Sequence, residues 1–270
     1  MHVEHLFIYP IKSLGGIELK EVHLEARGFK YDRRYMLVDE KGVFITQRDN
    51  HLMALFHTYI EKDGIRVSFR EELRGDSVLV PYNLDNNKTR QVQIWQDTCS
   101  AVEMSDEVNE YFSERLSQKC FLVYMPDNTN RLVDKRYAQQ DEMTSFADAF
   151  PILLIGSASL NDLNARLPKE EQVVWNRFRP NLVVKTEVPF EEDNWQVFKL
   201  GNAILQCVKP CARCVITTIN QESGLAGKEP LKTLASYRTQ NHKVMFGQNV
   251  LIKSYGLNLR VGDEFACLKD

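Results

Sequence analysis

The chain has 270 residues, 43% of them apolar and 26% charged, which is the composition of a folded protein with room for one large domain or two smaller ones. Its 34 Lys and Arg residues against 37 Asp and Glu give a net charge of -3, which argues against a protein that coats nucleic acid. No apolar run approaches the length of a membrane span, and no basic region precedes the short apolar stretch at residues 6–11. We therefore expect no export signal, no membrane span and a cytoplasmic location.

Short strands separated by turns are predicted for the first hundred residues. Alternating or β-branched apolar residues mark the strands, and turns such as Glu40-Lys41-Gly42 separate them. The predicted strands cover residues 5–9, 17–24, 35–39, 43–46, 55–61, 65–69, 77–80 and 90–95.

A helix follows at residues 106–117, where apolar side chains from Val108 to Leu116 recur at helical spacing and Ser105 or Asp106 would cap the N-terminus. After a strand at residues 121–124, the polar stretch 126–130 is the predicted boundary between domains 1–125 and 126–270.

Strands are also predicted for most of the second half. A short helix at residues 159–167, capped by Ser157 or Ser159, interrupts them. The strands cover residues 152–155, 182–185, 196–200, 203–209, 250–253 and 265–268. Because strands and helices do not alternate regularly, the predicted fold class is mostly β with a few helices (α+β), arranged as two linked barrel-like domains.

The cysteine-rich segment AILQCVKPCARCVITT, residues 203–218, is the most informative stretch. It reads as a strand, a turn at Lys209-Pro210 and a second apolar stretch that begins at Cys214. Arg213 would bring a positive charge near Cys211 and Cys214 and favour the thiolate form, which ligates soft metals.

Several other interpretations of these cysteines remain open. A zinc or iron–sulfur site usually has a second pair of ligands, which the sequence lacks nearby. A dithiol redox pair would sit in a βαβ pattern, which is also missing. Free cysteines are often small buried hydrophobes, which suits Cys207 better than Cys214, because a buried structural thiol needs no arginine beside it.

Further short motifs occur in a fixed order along the chain. They are Tyr9-Pro10-Ile11-Lys12-Ser13, Arg33-Arg34-Tyr35, Lys209-Pro210-Cys211-Ala212-Arg213-Cys214, Lys228-Glu229-Pro230-Leu231 and Phe246-Gly247-Gln248-Asn249. Together they resemble the MOSC family, in the branch that carries an N-terminal β-barrel domain and includes amidoxime-reducing components. The resemblance covers residues 3–268. It implies a β-rich fold and a molybdenum cofactor, in which a pterin with a terminal phosphate carries the metal.

The resemblance also implies roles for individual residues. Cys214 would be the thiolate ligand of molybdenum, and Ala212 and Arg213 would contact the pterin. Lys12 and Ser13 would clamp the phosphate, although an ordinary solvated turn is the alternative. The role of Cys211 stays open between a spare thiol, a residue that handles sulfur and packing, of which packing is preferred.

The choice between two adjacent arginines depends on the resemblance. Arg33 and Arg34 stand at the start of a predicted strand, so one of them should point inward. The resemblance assigns the phosphate to Arg34, and a surface pair of Arg34 with Asp32 is the alternative.

The second half supplies the remaining candidates. Asp148 and Arg179 match family positions that touch the cofactor, with Arg177 as the competitor of Arg179. Pro180 would hold Arg179 extended and aim it at an anion. Asn249 would close the pocket, and Gly247 would let the backbone approach the ligand. Because both halves contribute, the cofactor should lie in a cleft between them.

The implied activity is reduction of N-hydroxylated compounds such as hydroxylamines, amidoximes and N-hydroxylated bases. The sequence has no ferredoxin-type cysteine cluster beyond Cys214 and no Gly-x-Gly-x-x-Gly motif, so we expect electrons from a separate ferredoxin- or flavoprotein-type donor. The alternative function is a molybdenum-cofactor carrier or sulfur-transfer protein without turnover. A zinc- or iron–sulfur-dependent interaction protein is the third.

Overall fold

Alternation of apolar and polar residues produces most strands in the computed structural model, which describes residues 1–70, 75–83 and 88–268. In Glu21–Glu25, for example, Val22 and Leu24 are buried and His23 is exposed. The strands are β1 (Val3–Ile8), β2 (Ile17–Leu19), β3 (Glu21–Glu25), β4 (Gly28–Phe29), β5 (Tyr35–Val38), β6 (Phe56–Ile60), β7 (Gly64–Phe69), β8 (Ser77–Pro81), β9 (Thr89–Ile94), β10 (Asp97–Glu103), β11 (Phe121–Tyr124), β12 (Ile152–Gly156), β13 (Leu182–Val184), β14 (Val197–Leu200), β15 (Ala203–Ala212), β16 (Thr239–Gln240), β17 (Lys243–Ile252), β18 (Leu257–Arg260) and β19 (Phe265–Cys267).

Three α-helices accompany the strands in the described residues: α1 (Asp106–Leu116), α2 (Ser157–Arg166) and α3 (Leu231–Arg238). The Oγ of Ser105 accepts a hydrogen bond from the Val108 N–H, so the predicted cap of α1 is confirmed. The predicted serine cap of α2 is wrong, because Gly156 holds that position and the Ser159 hydroxyl donates to the buried Glu192 carboxylate instead. None of the described helices has the length and apolar character that crossing a membrane requires.

The largest sheet has nine strands among the described residues, in the order β19-β14-β15-β17-β12-β13-β1-β2, with β16 paired to β17. A four-stranded sheet has the order β5-β11-β10-β9, and two three-stranded sheets have the orders β6-β7-β8 and β18-β3-β4. The predicted fold class, mostly β with a few helices, is confirmed.

Strands β1 and β3, near the start of the chain, pair with strands from its second half. In β1, Leu6 lies opposite Leu182 of β13, and in β3, Leu24 lies opposite Leu257 of β18. The boundary between residues 125 and 126 stays a prediction. The two halves share hydrogen-bonded sheets, because β1 pairs with β13 and β3 pairs with β18.

Several predicted elements differ from the observed ones. The strand predicted at residues 43–46 is wrong, because only Val43 and Phe44 pair there, in isolated bridges to Gln93 and Val38. The turn predicted at Lys209-Pro210 is also wrong, because β15 continues to Ala212 with a register shift on each side of the proline. A bulge accommodates a residue that lacks an N–H donor.

Candidate functional site

An open cleft lies where the two halves of the chain meet, with an empty volume of about 860 Å³ including space open to solvent. Most of the residues predicted from the sequence line it, and Arg34 is the exception. The predicted residues in the cleft are Lys12, Ser13, Asp148, Arg179, Ala212, Arg213, Cys214 and Asn249. The cleft therefore brings together residues from both halves.

Lys12 is a buried cation at one end of the cleft. Its Nζ donates to Asp148 Oδ1 at 2.6 Å and to the Phe146 carbonyl at 2.9 Å. Burial lowers the pKa of Lys12 to about 8, although the Asp148 carboxylate opposes the shift. Burial alone would raise the pKa of Asp148, but the ammonium of Lys12 outweighs it and holds that pKa well below its usual range. The pair places a titratable cation beside the cleft.

The loop that carries Asp148 is held by a second buried cation. Residues 126–151 connect β11 to β12 without a helix or strand of their own. The guanidinium of Arg131 donates to the carbonyls of Ser145, Ala147 and Asp148, and its Nε donates to Asp97. This anchoring fixes the irregular loop at the mouth of the cleft.

The structure corrects the choice between the two adjacent arginines. Arg33 lines the cleft, where its Nη1 donates to both oxygens of Asp32 and to Asn181 Oδ1. The guanidinium of Arg34 lies elsewhere and donates to the Met125 carbonyl and to Asp127. Both residues precede β5, and Arg33 has a φ of 48°, so the alternation of a strand does not apply to them. The alternative surface pair is also wrong, because Asp32 is buried and pairs with Arg33.

Arg179 carries an unpaired buried nitrogen. Its guanidinium lies 4.2 Å from the centroid of the Tyr9 ring, and burial lowers its pKa to about 10. Its Nη2 is buried without a hydrogen-bond partner among the described residues. The extended conformation predicted before Pro180 is wrong: φ is 57°, since the Arg179 N–H closes a turn onto the Trp175 carbonyl.

Arg213, which also lines the cleft, likewise carries a buried nitrogen without a partner in the described part of the chain. Its Nη2 donates to the Phe178 carbonyl at 2.6 Å and its Nη1 to Cys211 Sγ at 3.1 Å, while its Nε is buried without a described partner. Arg177, the competitor of Arg179, instead donates to the Thr217 and Glu229 carbonyls. Buried donors normally have partners, so the two unpaired nitrogens indicate room for an acceptor that the protein itself does not supply.

Three non-glycine residues of the cleft adopt left-handed backbone conformations. Ser13, Arg33 and Arg179 have φ values of 68°, 48° and 57°. Such conformations are uncommon outside glycine, and they persist where surrounding contacts fix the chain. The protein thus holds these side chains in a fixed arrangement before any ligand binds.

Cys214 is exposed at the cleft and precedes a 3-10 turn at Val215–Thr218. The guanidinium that contacts Cys214 Sγ is that of Arg48, with its Nη1 at 3.6 Å, whereas Arg213 contacts Cys211 Sγ. Arg48 was missed from the sequence because 166 residues separate it from Cys214 and no local pattern connects them.

The other cysteines differ from Cys214 in their surroundings. Cys99 and Cys120 are buried, and burial raises the pKa of Cys120 to about 11. Burial also raises the pKa of Cys207, which packs against the main core. These three behave as small apolar side chains. Cys211 is half-buried and lines the cleft beside Arg213.

Two asparagines connect the cleft to the sheet behind it. Asn249 lines the cleft, and its Nδ2 donates to the Lys209 carbonyl at 3.2 Å. Asn181 was missed, although it follows Pro180 in the sequence: its Oδ1 accepts from Arg33 and its Nδ2 donates to the Phe7 carbonyl.

Gly247 has a different role from the predicted one. A Cβ there would lie 2.7 Å from the Leu154 carbonyl oxygen, so this glycine permits close packing of β17 on β12. It does not line the cleft.

The donor set of the cleft favours an anionic ligand that carries a soft metal. Within the described residues, no group of three or more His, Cys, Asp or Glu side chains is placed to hold a metal ion by itself, so the zinc and iron–sulfur interpretation has no ligand set there. The cleft instead combines one exposed thiol with five cations, Lys12, Arg33, Arg48, Arg179 and Arg213. A cofactor with an anionic phosphate that needs a single protein thiolate fits this arrangement.

We expect anion binding by the cofactor-free protein to weaken as the pH rises through about 8, because Lys12 loses its charge there. Sulfate is a suitable probe, since its own charge is constant over this range. Loss of one charge-assisted contact, worth roughly 1.5–3 kcal/mol, should weaken sulfate binding at least tenfold between pH 6.5 and pH 9.5 in isothermal titration calorimetry. Lys12→Met should bind sulfate weakly at both pH values. Equal wild-type affinities at the two pH values would exclude Lys12 from the anion site.

Comparison with known proteins identifies the family. Residues 1–119 match the MOSC N-terminal beta barrel domain and residues 141–266 match the MOSC domain. The mitochondrial amidoxime reducing component 2 of Rattus norvegicus is 31% identical over 97% of this chain and 81% of that protein. Component 1 of Mus musculus is 30% identical over 97% of this chain and 80% of that protein. The chain belongs to the family of MOSC-domain proteins that carry the MOSC N-terminal β-barrel domain.

The relatives of a second group are longer proteins, of which this chain matches only a part. The molybdenum cofactor sulfurase of Oryza sativa subsp. japonica is 30% identical over 92% of this chain, and the match spans 32% of the sulfurase. Among solved structures, YiiM from Geobacillus stearothermophilus overlaps 44% of this chain and 55% of that one, with 14% identity and a TM-score of 0.33. This structural overlap is too small to support an argument about function.

Proposed function

We propose that this protein is a molybdenum-cofactor-dependent reductase of N-hydroxylated compounds, with Cys214 as the thiolate ligand of molybdenum. The observation that carries the proposal is the placement of an exposed thiol in a cleft whose walls contain two unpaired buried guanidinium nitrogens. The amidoxime reducing components support it, since they match 97% of the chain.

The cations of the cleft would hold the anionic end of the cofactor. Arg179 Nη2 and Arg213 Nε are the unpaired donors, and Lys12 adds a third positive charge. Arg33 lies beside them, and its Nη2 donates to the Arg179 carbonyl at 3.1 Å. Hydrogen bonds of this charge-assisted kind are short and strong, so the phosphate is the natural anchor.

Cys214 is exposed in the cleft and would be the residue that holds the metal there. When bound, the cofactor would supply the two-electron chemistry in which R–NH–OH, two electrons and two protons become R–NH₂ and water. The protein's part would be to fix the cofactor through the cations of the cleft and to admit the substrate beside Cys214.

The alternative is a cofactor carrier or sulfur-transfer protein without turnover. The sulfurase relatives favour it, and so does Cys211, a second cleft thiol held 3.1 Å from Arg213 Nη1. The deciding experiment loads the protein in a host that makes the cofactor, measures molybdenum and pterin, and then assays benzamidoxime with a chemical electron donor. A fully loaded protein that fails to turn over would favour the carrier.

Electrons should come from a separate protein, because the described residues contain no cluster of three cysteines to hold an iron–sulfur centre. We expect loaded protein with a reduced nicotinamide alone to be inactive toward benzamidoxime. A dithionite-reduced viologen dye should restore turnover, since a small dye reaches the metal without docking. Product formation is measured by chromatography. Turnover with the nicotinamide alone would mean that the chain holds a further redox centre. The cytoplasmic location also stays a prediction.

A further inference from the structure

Arg48 differs from the other cations of the cleft in its partners. Its Nη1 reaches Cys214 Sγ at 3.6 Å, and its guanidinium lies 4.6 Å from the centroid of the Trp95 ring. Among the described residues it has no carboxylate in ion-pair contact and no oxygen that accepts from its guanidinium. Most of its N–H donors are therefore available to a molecule that approaches Cys214 from the cleft mouth.

Trp95 stands at the tip of the hairpin that joins β9 to β10. Ile94 pairs with Asp97, so Trp95 and Gln96 form a two-residue turn, and Trp95 has a φ of 56°. Glycine is the usual residue at a positive φ in such turns, which makes a large aromatic side chain there unusual. Its side chain is 42% exposed.

Contacts on several sides fix the indole of Trp95 in place. Its ring centroid lies 5.1 Å from that of Phe44, and its Nε1 donates to Asp148 Oδ1 at 3.3 Å. Arg48 lies over the ring. The hairpin tip of the N-terminal half thereby carries a fixed, exposed aromatic surface next to the arginine that touches Cys214.

Arg48 lines the cleft, and Trp95 lies beside it, against Arg48 and Asp148. We propose that Arg48 and Trp95 form a substrate-binding wall that continues the cleft onto the adjacent surface and selects planar, conjugated N-hydroxylated compounds. This inference rests on the proposed reductase function and assigns its specificity. Arg48 donates a hydrogen bond to the oxygen of the N–OH group, which places that group beside the metal ligand Cys214. The conjugated part of the substrate then stacks against the indole of Trp95. A small aliphatic hydroxylamine gains the hydrogen bond but not the stacking.

The test compares benzamidoxime, which is planar, with N-methylhydroxylamine, which has no ring. Dissociation constants are measured by isothermal titration calorimetry on cofactor-loaded protein without an electron donor, so that no turnover occurs. KM and kcat are then measured with the reduced dye. The variants are Trp95→Leu, Trp95→Phe and Arg48→Gln, with Tyr255→Leu as the control for loss of an exposed aromatic residue outside the cleft. Molybdenum content and thermal unfolding are recorded for each.

Trp95→Leu should raise the dissociation constant and KM of benzamidoxime about tenfold and change those of N-methylhydroxylamine less than about twofold. Trp95→Phe should weaken benzamidoxime less than Trp95→Leu does, because it keeps an aromatic face, and the Tyr255→Leu control should stay close to wild type. Arg48→Gln should weaken both compounds about tenfold or more, because both lose the charge-assisted hydrogen bond to the guanidinium. The inference is overturned if Trp95→Leu affects both compounds equally or neither, or if wild-type protein does not bind benzamidoxime. If the compounds bind as expected but the dye gives no turnover, the reductase proposal fails while the assignment of the wall stands.

Discussion

Replacement of Cys214 by serine should abolish reductase activity and lower the molybdenum content of the purified protein. A serine hydroxyl is a hard, mostly protonated group at neutral pH, whereas the metal prefers a soft thiolate. Cys214 is exposed in the cleft and makes few contacts that stabilise the fold, so the variant should remain folded. We expect the dye-driven rate with benzamidoxime to fall more than about a hundredfold, since loss of groups that only support a metal ligand already costs 10–100-fold.

Two other cysteines supply the controls. Cys207→Ser changes a thiol that packs against the core and should lower stability more than activity. Cys211→Ser changes a cleft thiol that contacts Arg213, and it should retain most of the activity. Metal content is measured by mass spectrometry and activity by the dye assay. A Cys214→Ser protein with normal molybdenum and normal rate would show that the metal is held elsewhere.

Replacement of Arg179 by glutamine should sharply lower cofactor occupancy. Its buried Nη2 is one of the two unpaired guanidinium nitrogens of the cleft, and no described carboxylate pairs with it. Its removal therefore leaves no buried acid unpaired, while the cofactor loses a charge-assisted hydrogen bond. That bond is worth roughly 1.5–3 kcal/mol, so the cofactor should bind about 10–150 times more weakly. Pterin and molybdenum content per protein, and reloading of the cofactor-free protein, measure the effect.

Arg34→Gln is the matched control for Arg179→Gln. Arg34 is buried, whereas Arg179 is half-buried, and the guanidinium of Arg34 donates to the Met125 carbonyl and to Asp127 outside the cleft. This variant should lower the unfolding temperature and leave cofactor affinity unchanged. If Arg34→Gln lost the cofactor while Arg179→Gln kept it, the role that the sequence resemblance implies for Arg34 would stand and the role assigned to Arg179 would be wrong.

The local pattern of apolar and polar residues was sufficient to predict most of the strands and helices. The strands of the first half alternate in burial, as Val78 and Val80 do in β8, and the stripe of α1 buries Val108, Phe112 and Leu116. Elements with a weak pattern were missed. Helix α3 buries only Leu234, and β10 contains the polar run Asp97-Thr98-Cys99-Ser100, which does not resemble a buried strand.

The candidate site was predictable only where short motifs carried it. Lys12, Asp148 and Cys214 line one cleft, as the motifs indicated. Arg33 was missed because a left-handed turn, which strand alternation does not describe, directs it into the cleft. Arg48 and Asn181 acquire their places only through contacts with residues far away in the sequence. No local rule identifies such contacts.

The pairing of the first strands with the last ones also has a consequence for protein synthesis. Val3 lies opposite Val184 and Leu24 lies opposite Leu257, so the segment that carries Lys12 leaves the ribosome long before its partners exist. Contacts of such large sequence separation form late in folding. The wall of the cleft that contains Lys12 can therefore form only after β13 and β18 have been translated. Capture of a cofactor between the two walls then follows the translation of both partner strands.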